Sequence, residues 1–236
     1  MSLGVMSSGY CFRRFLVMIS RVVIPCFVVA LGLVLVGSGS SRAVAQETGL
    51  FGSREVRSTQ LSAFKKWNSM VERHTEETRP GARRKGPCRV TANFRCPVDE
   101  WKDVIAALKG QDFATQLDEV NRYMNRAPYI TDIVNWGVKD YWATLRQFFT
   151  KDGDCEDYAI AKYYSLKELG IPPENMRIVV VQDTNLDVAH AVLVVYGGKT
   201  AWVLDNQIPY VVRAQAVVHY RPFYSINETA WWLHKM

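Results

Sequence analysis

Lys151-Asp152-Gly153-Asp154-Cys155-Glu156-Asp157-Tyr158-Ala159 is the stretch on which the reading of this chain turns. Asp154 is a good helix N-cap, and Asp157 three residues on comes close to completing a capping box. Gly170 and then Pro172-Pro173 stop a helix, so the pattern predicts one over 154–169. Cys155, Ala159, Tyr163, Leu166 and Gly170 share one stripe of it, which turns the cysteine towards whatever the helix packs on. As the first helical residue, Cys155 lies in the positive end of the helix dipole, which favours a thiolate. The same helix start offers free backbone N–H groups to a developing oxyanion. An arbitrary cysteine is usually a small core residue, but a thiol placed here after a Gly-Asp turn has the setting of a nucleophile.

Upstream the signals are helical. Leu61, Phe64, Trp67, Met70 and Val71 recur at helical spacing over 61–77. Pro97–Leu108 and Phe113–Met124 read as two more helices, the first with Asp99 near its start and Gly110 after it. Residues 46–59 are polar and read as a loose lead-in, and 121–149 are rich in aromatics and asparagine with weak periodicity. Downstream, β-branched apolar runs at 176–182, 189–196 and 200–205 read as strands, with another over 211–220. Helices first and an antiparallel sheet second give an α+β fold, with the nucleophile helix packed on the sheet. The domain expected is 46–236, helical over 60–150 and carrying the catalytic helix and sheet over 151–236.

The strand runs supply partners for Cys155. Gly197-Gly198 reads as a two-residue hairpin loop, in which Tyr196 pairs with Lys199 and His190 lies directly across from Asp205. Directly opposed side chains have Cβ atoms about 5 Å apart on one face. A carboxylate beside an imidazole fixes its tautomer and supports the imidazolium. His74, His219 and His234 have no equally placed acid. The catalytic residues read from the sequence are therefore Cys155, His190 and Asp205.

The same motif carries an electrostatic difficulty. Asp152, Asp154, Glu156 and Asp157 crowd the thiol, and unneutralised carboxylates raise a thiol's pKa. A hard cation would remove that penalty, and several carboxylates on one short turn suit calcium, although the spacing is not that of an EF-hand. The plain alternative is that these acids only cap the helix.

Residues 1–45 have the order of a secretory signal. Arg13, Arg14 and Arg21 precede an apolar run over 22–36, followed by small and polar residues and Ala43-Val44-Ala45, with cleavage expected after Ala45. That places the mature protein in the periplasm. It also locates the charge. Removing Arg13, Arg14, Arg21 and Arg42 from 29 basic residues leaves 25 against 23 acidic ones, a net of +2 where the whole chain has +6. The basic loop at 79–86 has no interleaved aromatics, so nothing marks a nucleic-acid surface. After cleavage Cys88, Cys96 and Cys155 remain, an odd number in an oxidising compartment. Cys88 and Cys96, flanked by Pro87 and Pro97, are the expected pair, leaving Cys155 free.

Gly153-Asp154-Cys155-Glu156-Asp157-Tyr158-Ala159-Ile160-Ala161-Lys162-Tyr163, then Ala189-His190-Ala191-Val192-Leu193 and Val203-Leu204-Asp205-Asn206, resemble the bacterial transglutaminase-like cysteine proteinases, which include periplasmic proteases of the LapG type. Asp140-Tyr141-Trp142 and Tyr224-Ser225-Ile226-Asn227 also look like family positions. The resemblance implies a Cys–His–Asp triad on a papain-like, transglutaminase-type core, carried here by Cys155, His190 and Asp205. It implies calcium beside the nucleophile, on Asp154, Glu156 and Asp157. It also implies a protein substrate, a large cell-surface adhesin, and a regulatory membrane protein as a further partner. Leu145 stands where the family pattern has proline, and the Cys88–Cys96 segment is not part of that pattern. Acyl transfer to an amine would use the same triad. A non-catalytic binding module would have no need of all three groups.

Overall fold

The computed structural model describes residues 49–82 and 96–236. The expected leader over 1–45 and Cys88 of the expected disulfide lie outside the described residues. Helices α1 (Lys65–Thr78), α2 (Pro97–Leu108), α3 (Phe113–Met124), α4 (Asp132–Asn135), α5 (Leu145–Lys151) and α6 (Cys155–Glu168) follow a first strand, β1 (Arg54–Ser58). Strands β2 (Met176–Asp183), β3 (Val188–Gly197), β4 (Thr200–Leu204), β5 (Val212–Arg213), β6 (Tyr220–Ile226) and β7 (Trp231–Lys235) complete the chain. They form one antiparallel sheet in the order β1-β7-β6-β2-β3-β4-β5.

Helix α6 is the centre of the domain. It packs on β3 and β2 and is covered elsewhere by α3 and α5. Every residue from Asp157 to Leu166 is buried, so the single inward stripe expected from the sequence is a helix enclosed all round. Tyr163, Ile160 and Leu166 join Ile178, Leu193 and Val195 of the sheet in the larger core. A second core lies on the alternate sheet positions, with Val179, Val181, Val192, Val194 and Val203.

Several elements depart from the sequence reading, each for a physical reason. The polar lead-in contains strand β1, which pairs with β7 at the sheet edge, where outward polar side chains are solvated. Glu55 of β1 accepts a hydrogen bond from Arg177 at 2.7 Å, and Ser53 meets the buried His234 Nδ1 at 2.7 Å. The strand expected over 211–220 is instead the short β5, a turn of 3-10 helix at Ala214–Ala216, and the start of β6. Leu145 is the first residue of α5, a position that favours proline. Here a capping box between Thr144 and Gln147 fixes the same helix start.

The β3–β4 hairpin also corrects the expected register. Gly197 pairs with Thr200, so the loop is Gly198-Lys199 rather than Gly197-Gly198. The two glycines serve different ends. Gly198 takes the positive φ of the turn, 61°, while a Cβ on Gly197 would come within 2.7 Å of the Phe113 ring. The register therefore slips by two. Asp205 is not directly opposite His190, but a slip of two preserves the face, and both side chains remain on the side of Val192, Val194 and Val203.

Lys162 is fully buried in α6 without a hydrogen-bond partner, its Nζ 5.8 Å from the centre of the Tyr158 ring. Burial pushes it down from 10.5 to about 7, a fall that the Asp205 charge only partly offsets. The unfolded chain therefore holds the extra proton between those values, and stability rises with pH across that window. Lys162→Met is expected to stabilise the fold by roughly 2 kcal/mol at about pH 6, with the gain shrinking as pH rises towards 10. Urea titrations of both proteins at the two extremes check it; a gain that does not change with pH would contradict the charge argument.

Candidate active site

One glycine and three aspartates shape the approach to Cys155. Asp152 takes a positive φ of 59° after α5, and Gly153 follows because a Cβ there would meet the Asp157 carboxylate at 2.3 Å. Asp154 holds the N-cap position in extended conformation, but its side chain makes no capping hydrogen bond. Its Oδ2 instead accepts from the Asp132 amide at 3.2 Å. Asp157 likewise reaches away from its own helix, its Oδ1 accepting from the Ala143 amide at 2.7 Å. The capping box expected from the sequence is thus replaced by cross-links to the segment that precedes α5.

Asp132, which the sequence reading passed over, completes this cluster. One carboxylate oxygen each from Asp132, Asp154 and Asp157 lie within 4.8 Å of one another, as do oxygens from Asp132, Asp140 and Glu156. Asp132 Oδ1, Asp154 Oδ1 and Asp157 Oδ2 are buried without hydrogen-bond partners. Three carboxylates at that spacing, each with an orphaned oxygen, fit a hard cation with oxygen ligands at about 2.4 Å. Burial and then mutual repulsion hold these acids high. Asp132 is raised to about 6, Asp157 to about 8 and Glu156 to about 9. Asp154 is also raised, by burial.

The thiol feels the same crowd. Cys155 Sγ donates to Glu156 Oε2 at 3.2 Å, and the amide of Ala191, the residue after His190, faces the sulfur. Burial, then the Glu156 and Asp154 carboxylates, push the thiol well above its ordinary value. The helix start alone does not yield a thiolate, because burial, and after it the nearby carboxylates, outweigh a dipole effect of about 0.3–1 kcal/mol.

His190 and Asp205 meet as the sequence implied. Their side chains are 2% and 0% exposed, with Nε2 and Oδ1 2.9 Å apart. The Gln207 side-chain amide approaches Nδ1 at 3.4 Å. A donor at Nδ1 assigns the proton to Nε2 and leaves Nδ1 as the basic nitrogen. Burial alone would raise Asp205. Hydrogen bonds from His190, the Gln207 amide at 2.9 Å and the Tyr220 hydroxyl at 2.5 Å outweigh it and hold the carboxylate below its usual range. Asn125 fixes the backbone there, donating to the Asp205 carbonyl at 2.7 Å.

With this geometry in hand, the chain was compared with known proteins. The family model for bacterial transglutaminase-like cysteine proteinases matches residues 87–234. The chain belongs to this family. It is a cysteine protease with the mixed helices and antiparallel sheet of a papain-like core. Legionella pneumophila LapG is similar at 32% identity and a TM-score of 0.55, over 61% of this chain and 81% of that one. Its calcium-bound and EGTA-treated forms are each similar at 32% identity and a TM-score of 0.56, over 61% and 62% of this chain and 81% of theirs. No curated protein sequence matches.

Asp132 and Tyr220 join this candidate site without a signal in the sequence. Asp132 comes from a segment without periodicity and meets α6 only through the fold. Tyr220 sat inside an apolar run and read as one more strand position. Tyr220→Phe keeps the ring, which meets Phe51 edge-on at 5.8 Å, and deletes one charge-assisted hydrogen bond. The loss expected is about 2 kcal/mol of stability at neutral pH. Asp205 has a depressed pKa, so its stabilising contribution falls away as pH drops through its folded value, and the difference should narrow in acid. Equal denaturation midpoints at neutral pH would show that the hydroxyl contributes nothing.

Proposed function

We propose that the chain is a periplasmic, calcium-supported cysteine protease in which Cys155 is the nucleophile, His190 the base and Asp205 its orienter. The observation that carries this reading is the buried His190–Asp205 hydrogen bond, on the strand whose Ala191 amide faces the Cys155 sulfur. His190 Nδ1 takes the thiol proton as sulfur attacks the scissile carbonyl. Asp205 holds the ring and stabilises the imidazolium. The amine leaves with that proton, and water, deprotonated by the same nitrogen, resolves the thioester.

Asp132, Asp154 and Asp157 would hold calcium, with Asp140 and Glu156 adjoining; sequence reasoning had named Asp154, Glu156 and Asp157. A bound cation would neutralise the carboxylates that keep the thiol protonated. The calcium-bound LapG structure supports this reading, as do the three orphaned oxygens. The proposed substrate is a cell-surface adhesin and the proposed regulator a membrane protein, both on family resemblance. Export rests on the leader pattern. The Cys88–Cys96 bridge rests on the odd cysteine count, and Cys155 is the free cysteine among the described residues.

Cys155→Ala is expected to leave the fold intact and to lower cleavage by several orders of magnitude. Turnover by a folded Cys155→Ala protein comparable to wild type would overturn the triad. Melting temperature reads the metal separately. Free calcium at about 100 times its Kd adds about 2.7 kcal/mol, an upward shift of roughly 5–10 °C. Asp132→Asn should abolish most of that response. A melting temperature indifferent to calcium and to EGTA would reduce the acids to structural groups.

A further inference from the structure

Tyr129 is a large side chain beside the nucleophile to which neither the triad nor the acid cluster gives a role. Its backbone is fixed to the catalytic turn: Tyr129 bridges to Gly153, and the Ile130 amide donates to the Gly153 carbonyl at 2.9 Å. Its ring lies nearly parallel to that of Tyr158, centroids 6.4 Å apart and planes 14° apart. Tyr158 is itself tied by its hydroxyl to the Ala127 carbonyl, so the ring is held from the chain on both sides of Pro128. Tyr129 nevertheless stays 55% exposed, at the solvent side of the site. Its hydroxyl oxygen faces the Cys155 amide and lies near Cys155, Asp154 and Glu156.

That amide is the first N–H of α6. The Asp157 and Tyr158 amides turn to the Asp154 carbonyl, but an N–H at the first helical position has no partner within its own helix. It is also attached to the residue whose sulfur attacks, so it points to where the oxygen of the attacked carbonyl must come. A polar group placed against it competes for that position or shares it. A tyrosine hydroxyl can share it, because the same oxygen that accepts from the amide can rotate its proton towards an incoming anion.

We propose that Tyr129 is the side-chain donor of the oxyanion site, acting beside the Cys155 amide. This rests on Cys155 being the nucleophile. As the bond from sulfur to the carbonyl carbon forms, the π pair moves onto oxygen and the thiol proton passes to His190. The Tyr129 hydroxyl turns from accepting at the amide to donating to that oxygen, and transfers no proton. On collapse the carbonyl reforms, the amine leaves with the proton from His190, and the hydroxyl returns to the amide.

Tyr129→Phe retains the stacked ring and removes the donor alone. The expected result, with a fluorogenic peptide selected on the wild-type protein, is a kcat lower by about 10²-fold with little change in KM. A peptide aldehyde, whose adduct with the thiol carries the same oxygen, should bind more weakly by a similar factor. Alkylation of Cys155 by iodoacetamide creates no oxyanion and should keep its wild-type rate. A Tyr129→Phe protein with kcat within threefold of wild type, or faster because a plug has been removed, would overturn the proposal. So would equal loss of aldehyde binding and alkylation, which would mean a disturbed thiol. Cys155→Ala run alongside separates the two levels: if it still cleaves, the nucleophile assignment has failed, whatever Tyr129 does.

Discussion

Enclosure of α6 is the constraint from which the rest of the domain follows. A helix buried from Asp157 to Leu166 must satisfy or neutralise every polar group it carries inside. Ser165 does so within its own helix, its hydroxyl donating to the Ala161 carbonyl at 2.7 Å. Asp157 does so with one oxygen only, across to Ala143, and Lys162 does not do so at all. The close pass of Gly153 over Asp157 sets how the chain enters the helix, and therefore where Cys155 points.

The enclosure also explains why the Cys155 thiol is held in its protonated form. A thiol at a helix start is favoured as an anion by less than 1 kcal/mol or so, and that is small beside the cost of burying its charge and, after it, the effect of the nearby carboxylates. The protein places those carboxylates deliberately close, with oxygens left unpartnered. The arrangement makes chemical sense as half of a site, one whose charge is to be completed by a cation. The histidine is unencumbered by such conflict: Asp205 has three donors to its two oxygens, and its charge is well satisfied.

The hairpin shows how a sequence argument can reach the right pair through the wrong register. Gly197-Gly198 offers two residues suited to a turn, and only the Phe113 ring, about 84 positions upstream and brought in by the fold, decides which of them makes it. The face of His190 and Asp205 survived because strand side chains alternate with a period of two. The edge strand β1 was illegible for a related reason: its polar residues are those an exposed edge carries, and its pairing with β7 leaves no local trace.

The sequence by itself determined the elements with strong local patterns and the chemistry written in contiguous motifs. Periodicity marked α2 and α3, the cap and stop residues marked α6, and apolar runs marked β2, β3 and β4. The helix-start cysteine and the His190–Asp205 pair, proposed as nucleophile, base and orienter, were legible because helix starts and hairpins relate near neighbours by fixed geometry. Tertiary structure alone decided what depends on distant segments meeting. It brought Asp132 to the acids of α6, Tyr220 to Asp205 and Tyr129 to the Cys155 amide. It also buried Lys162 and lifted the thiol's pKa, since burial and charge are summed over everything that surrounds a group, and a linear sequence does not record those surroundings.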